Sequence, residues 1–304
     1  MCPLSRPLYH IVTTDQFFIG KGHTASFELV SKIEKGVVID KIVTVSPEDL
    51  HFQNLTSSLQ AFQGKPVKVL LNGFKLWSVN NTSGWHFGGL GMQTIRPEWT
   101  EDGNLQFRLH MFARPARSPE LITQGNRGWD PKQDCVYRLQ VDYAIIAGDE
   151  QDVQFNHFSL SRKDERPTWR YSDYFHTEIN GQANSYGKAF LGLTGFHMNL
   201  NPPRNALFKN CSGRYMRVLG LYTKDMDYDP VDGIGRFNVG MVFSNKGDIT
   251  SLGLITSSRW TFQSRIDACM IQATANTAVK TGVISGKTGL HETCYREKLG
   301  DEDE

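Results

Sequence analysis

GKAFLGLTGFHMNLNPPRNALFKNCSGRYMRVLGLYT, residues 187–223, is the stretch whose reading decides the fold. Two apolar runs, 190–196 and 215–221, flank a loop that holds Pro202, Pro203 and Asn205. Both runs are short and bounded by turn residues, which suits strands better than a helix. An earlier stretch, residues 64–94, has the same layout: GKPVKVLLNGFKLWSVNNTSGWHFGGLGMQT. Gly73-Phe74 corresponds to Gly195-Phe196, and Gly84, Leu90, Gly91 and Thr94 correspond to Gly213, Leu219, Gly220 and Thr223. Asp102-Gly103, Phe107 and Met111 then match Asp232-Gly233, Phe237 and Met241, and VDYAII at 141–146 matches IDACMI at 266–271. Generic Gly-Phe and Asp-Gly turns explain any one of these blocks. Their common order points to an internal duplication.

Working outward, each copy reads as a sandwich of short strands. In the first, strands are expected at 67–71, 90–95, 105–112 and 136–147, with a long loop at 113–134 that carries Pro115, Pro119, Gly125, Gly128 and Pro131. Twenty-eight glycines and many β-branched and aromatic residues favour an all-β chain, and no long amphipathic helix stands out. The expectation is two tandem, related antiparallel β-sandwich domains, at 59–158 and 183–276. A β extension at 1–58, read as an extra strand layer or an oligomerisation arm, precedes them. Residues 159–182, with Arg162, Lys163, Asp164, Glu165, Arg166 and Pro167, read as a charged linker, and 277–304 read as a tail that ends in acidic residues. The two copies are expected to pack about a pseudo-twofold or pseudo-sixfold axis, because duplicated sandwiches retain the surface of self-association.

Composition removes several classes of function. The chain has 304 residues, of which 39% are hydrophobic and 21% charged, enough for a packed core. Thirty-three basic residues stand against 32 acidic ones, a net +1, so no global basic field exists to hold nucleic acid. No run is long enough to cross a bilayer as a helix and no signal peptide is seen, which suggests a cytoplasmic or unconventionally secreted protein. The five cysteines, Cys2, Cys135, Cys211, Cys269 and Cys294, are widely spaced and form no metal motif. Cys269 lies in an apolar run and reads as a small core residue.

Catalytic spacing is equally sparse. No nucleophile elbow, HExxH, phosphate loop or dinucleotide fingerprint is present, and no cofactor is implied. DMDYDPVDG at 225–233 begins like a calcium loop, but Pro230 sits where the turn needs Gly and Arg236 where the last ligand needs Glu, so it reads as an acidic surface loop. Asp173, His176 and Glu178 could form a base and its orienter, but Asp173 alternates away from the other two and no nucleophile is near. The reading is therefore a non-enzyme. Trp77, Trp85, His86, Trp99, Trp129 and Trp260 lie in loops or near strand ends, where an aromatic face can stack on the C–H side of a sugar or simply pack under a loop.

The second copy resembles the H-type lectins, the snail-agglutinin family that binds N-acetylgalactosamine. The resemblance is carried by AFLGLTGFHMN at 189–199, MRVLGLYT at 216–223, SSRWTFQSR at 257–265 and IDACMIQA at 266–273. It implies a six-stranded antiparallel β-sandwich and trimeric packing, with sugar sites near subunit contacts. The family's strand arginine maps to Arg217 and its stacking tryptophan to Trp260. Thr261 stands where the family has a His, and Phe262 can supply part of the aromatic wall. Tyr215, expected beside Arg217 on the outward face of its strand, and His197, within the first block, complete the ligand-binding set. The first copy has Gly88 at the place of Arg217. The function implied is recognition of galactose or N-acetylgalactosamine-type glycans by a homo-oligomer, a trimer or a multiple of one. The alternative is a structural or assembly protein built from duplicated sandwiches, such as a virion, spore or surface component.

Overall fold

The structure is a computed structural model whose described residues are 17–31, 37–53, 58–78, 87–115, 135–166, 170–201, 218–244, 260–274 and 284–287. Along the chain come β1 (Phe17–His23), β2 (Phe27–Ser31), β3 (Val37–Val45), β4 (Leu50–Gln53), β5 (Val67–Ser78), β6 (Phe87–Trp99), β7 (Leu105–Pro115) and β8 (Cys135–Gly148). The second half adds β9 (Val153–Arg166), β10 (Arg170–Asn180), β11 (Lys188–Asn201), β12 (Val218–Asp229), β13 (Ile234–Ser244), β14 (Trp260–Ala273) and β15 (Ile284–Lys287). Two short 3-10 turns, Pro47–Asp49 and Leu59–Phe62, are the helical elements among the described residues. The protein is all-β, as its composition implies. No described helix is long and apolar enough to cross a membrane.

Period-two alternation sets the faces. Along β7, Leu105, Phe107, Leu109, Met111 and Ala113 are buried, while Gln106, Arg108 and His110 point the other way. On β8 the alternation gives way to burial on both faces from Tyr143 to Ala147. The larger core contains Tyr143 and Ile145, and a smaller one gathers Ala144, Ile146, Leu70, Phe190, Cys269 and Ile271. A strand covered on both sides reads as a continuous apolar run. At that second contact the methyls of Leu70 lie 2.6 Å from where a Cβ of Gly192 would sit, so the close approach of β5 and β11 needs glycine there. Cys269 is fully buried, and burial pushes its thiol up to about 12, which makes it the inert core residue expected.

All strand pairs among the described residues are antiparallel. In the first sheet β8 pairs with β5 on one edge and with β1 and β2 on the other, and β4 adds to β1. The second sheet runs β3-β7-β6-β11-β14-β9, and the third β10-β13-β12-β15. The second sheet is thus continuous through both halves, joined where β6 meets β11. Separate closure of each half was the expectation; backbone hydrogen bonding across the join links them instead, because an open strand edge is satisfied by the nearest antiparallel strand. The join also excludes the twofold arrangement among the described strands. That would pair β12 with β5, whereas β5 pairs with β8, and β12 with β13 and β15.

Residues 17–53 supply strands to two sheets: β1, β2 and β4 build the first and β3 edges the second. Two further expectations change. The stretch 159–182 is strand rather than linker over most of its length. β9 runs to Arg166 beside β14, and β10 pairs with β13 over its whole length. β9 is an edge strand, a position in which charged side chains are tolerated. The Asn72-Gly73 pair does not end β5. The strand continues to Ser78 through a bulge between Leu71 and Gly73, with Gly73 opposite Asp142. In β11 a bulge falls between Leu193 and Gly195, with Gly195 opposite Asp267. Thr94 lies opposite Leu109, and Thr223 opposite Val239. The two hairpin turns each carry a left-handed glycine, Gly103 (φ 78°) and Gly233 (φ 70°). Residues 116–134, read as a long loop, and the tail beyond 287 lie outside the described residues.

Candidate functional site

The β6–β11 join brings polar side chains from both halves onto one face. Register places Asp40, His110, Gln93, Gly195, Asp267 and Ser159 in a single row across all six strands of the second sheet. The next row reads Val38, Phe112, Gly91, His197, Arg265 and Ser161. Both rows occupy the face opposite the core, because their neighbours on each strand, such as Met111, Met92, Phe196 and Ile266, are buried in it.

Glycines at the centre let these side chains lie flat. A Cβ on Gly91 would come within 2.9 Å of His197 Nδ1, one on Gly89 within 2.6 Å of Phe112 Cε1, and one on Gly195 within 2.8 Å of Gln93 Cγ. The imidazole of His197 and the ring of Phe112 pack above this floor with centroids 4.8 Å apart. Burial lowers the His197 pKa most, and Arg265 and His110 lower it further against an opposing pull from Asp267. A lowered pKa favours the neutral imidazole, which offers one donor and one acceptor nitrogen.

Charged groups flank this centre. Arg265 donates to Asp267 Oδ1 from Nε (2.9 Å) and Nη2 (2.7 Å), and the Ser159 hydroxyl donates to the same oxygen. The Asp267 side chain is only 3% exposed, so these donors keep a buried carboxylate from being unpaired. Arg265 is 48% exposed and keeps donors free toward solvent. On the other side Arg114 donates from Nε (3.1 Å) and Nη2 (2.9 Å) to Asn199 Oδ1. His110 Nδ1 lies 2.9 Å from Asp40 Oδ1 on the exposed flank. The arrangement is a shallow surface of fixed donors and acceptors around an aromatic patch. Its side chains offer directed donors and acceptors beside an aromatic face.

Of the residues singled out from the sequence, His197 sits at the centre of this face. Trp260 and Phe262 begin β14, opposite Arg166 and Leu200 in register. Tyr215 and Arg217 precede β12 and lie outside the described residues, as do Trp85, His86 and Trp129. Trp99 is structural: its indole N–H donates to the Lys65 carbonyl at 2.9 Å. His176 Nδ1 meets Asn238 Oδ1 at 2.8 Å, and Glu178 accepts from Arg236 Nε at 2.8 Å, so both are cross-strand surface pairs between β10 and β13. The acidic run at 225–233 forms the β12–β13 hairpin, where Asp229 Oδ1 accepts from the Val231 amide at 2.9 Å. Among the described residues no group of three or more His, Cys, Asp or Glu could hold a metal ion. Sequence reasoning missed Gln93, His110, Arg114, Arg265 and Asp267. The available signal was the polar half of the alternation in QFRLHMFAR and FQSRIDA, set against glycines on facing strands.

No family model matches this chain, and neither does any curated protein or solved structure.

Proposed function

We propose that the chain is a non-enzymatic glycan-binding protein made of two related six-stranded sandwich units. In the first unit β1 with β2, then β3, β5, β6, β7 and β8 take the places that β9 to β14 take in the second. Support comes from matched register: the bulges at Leu71/Gly73 and Leu193/Gly195, the threonine pairings of β6 and β12, and the left-handed turn glycines. Six strands per unit agree with the sandwich that the H-type lectin resemblance implies, and that resemblance puts sugar sites near subunit contacts.

The observation that carries the ligand reading is the face at the β6–β11 join, where His197, Phe112, Gln93 and Arg265 stand together. Arginine and amide groups direct hydrogen bonds to hydroxyls, and an aromatic patch accepts the apolar side of a galactose-type ring. Arg217, Tyr215, Trp260 and Phe262 are proposed to form the second unit's own contacts, with avidity from a homo-oligomer. A glycan array tests the proposal. Wild type should bind galactose or N-acetylgalactosamine-type glycans, and His197→Ala should weaken that binding at least tenfold while thermal unfolding shows the fold intact. Background-level binding by the oligomeric wild type would remove the lectin reading.

One observation favours the assembly alternative. β15 lies on the edge of β12 at Val218–Leu221, the register that β11 holds on β6 at Gly89–Met92. The corresponding edge is thus occupied by a strand in both halves. If assembly is the function, removing residues 277–304 should change the sedimentation coefficient, and no glycan should bind.

A further inference from the structure

The bulge of β6 is built unlike its surroundings. Ile95 pairs with Arg108 and Glu98 with Gln106, so Arg96 and Pro97 together oppose one residue of β7. Arg96 has φ 50°, in the left-handed region, where a side chain costs energy and glycine is the usual occupant. Pro97 disfavours the right-handed helical region for the residue before it and so helps hold Arg96 out of that alternative. Beside this strained residue lies a shallow surface pocket of about 180 Å³, lined by Arg96, Arg108, Glu98, Gln106, Phe107 and Ile42.

Its electrostatics are lopsided. Among the described residues neither Arg96 nor Arg108 has an ion-pair partner, whereas Arg236 and Arg265 are each paired with carboxylates. Gln106 is fixed by donation from Nε2 to the Thr44 hydroxyl at 3.1 Å. Two guanidinium groups against one carboxylate leave a net positive pocket floored by β6 and β7. A side chain that strains the backbone at a bulge is a sign of use at that place.

The geometry points to an oxyanion-binding site at the β6 bulge, in which Arg96 and Arg108 hold a carboxylate, sulfate or phosphate group. Guanidinium groups match the planar or tetrahedral oxygens of such anions through paired N–H donors. Glu98 accepts from a hydroxyl or ammonium group on the same ligand. The site stands apart from the glycan reading, since an inorganic anion suffices to occupy it. It belongs to the first half alone: the matched bulge in β12, between Lys224 and Met226, carries Asp225.

The test is thermal unfolding of the full chain in 10 mM sodium sulfate, with sodium chloride of equal ionic strength as reference. A third arm contains sodium N-acetylneuraminate, a carboxylate-bearing sugar. Binding raises the midpoint by mass action. Wild type should gain stability in sulfate, in the sugar acid or in both, and the arm with the larger gain identifies the anion. Arg108→Gln should lose that gain. Arg96→Gly should lose it as well, and because glycine adopts φ 50° freely the variant stays folded. Equal responses of wild type and both variants, or no response of wild type in either arm, would overturn the site.

Discussion

Thr94 is the residue through which β5, β6 and β11 are tied, and replacing it by valine tests the join between the halves. Its side chain is buried, and Oγ1 lies 2.7 Å from the Val69 carbonyl oxygen and 3.1 Å from that of Thr194. The single hydroxyl proton is shared between two acceptors, one in β5 and one at the bulge of β11. Val69 and Thr194 are 1% and 0% exposed, so water does not replace the lost donor. Valine keeps the shape and leaves these carbonyls without it. An unsatisfied buried acceptor costs about 1–3 kcal/mol, and the added methyl returns at most about 0.8 kcal/mol. The expected net loss is up to about 2 kcal/mol, or roughly 3 °C in the melting midpoint of a chain this size. Thr94→Ser keeps the hydroxyl and loses one methyl, which costs about 1 kcal/mol. Urea unfolding of the three proteins measures both. A valine variant within about 0.5 kcal/mol of wild type, or a serine variant at least as unstable as valine, would refute the assignment of the hydroxyl to the join.

Matched glycines should respond unequally to alanine. A Cβ on Gly195 would lie 2.9 Å from the Met92 carbonyl oxygen, a backbone atom that cannot move aside, so Gly195→Ala should destabilise by about 1–3 kcal/mol. Gly73→Ala meets only Asp142 Oδ2 at 3.3 Å and should cost less; equal losses in denaturant titrations would contradict the β6–β11 pairing. Burial lowers the pKa of both His197 and His157, so the unfolded chain binds more protons than the native one as pH falls below about 6.5. Stability is thus full above that pH and declines as each folded-state pKa is approached from above. His197→Gln should flatten the slope between pH 5 and 7, and an unchanged slope would show that His197 does not titrate differently in the native state.

What could be read from the sequence was local. The alternation in LQFRLHMFA gave β7 and its buried face directly, and VDYAII and IDACMI marked the central strands β8 and β14. The bulges were hidden, because Asn72-Gly73 has the composition of a turn and only the partner strand shows that the chain continues. The charged stretch at 162–166 misled for a related reason. Strand pairing is a backbone property, and an edge strand accepts charges that composition alone assigns to a linker.

The join of the halves was the least legible feature, and its physical basis explains why. Gly89, Gly91 and Gly195 individually look like turn residues, and His197 looks like an isolated ligand. Their common meaning appears only when β6 and β11 lie side by side, because then three missing side chains leave room for His197, Phe112 and Gln93 to lie flat across the strand boundary. The same absence of side chains lets the face hold polar groups from both halves at once. A substitution that fills the floor should therefore damage the fold and the proposed ligand face together, whereas one at His197 should damage that face alone. That difference separates a surface built for binding from one that merely closes the sheet.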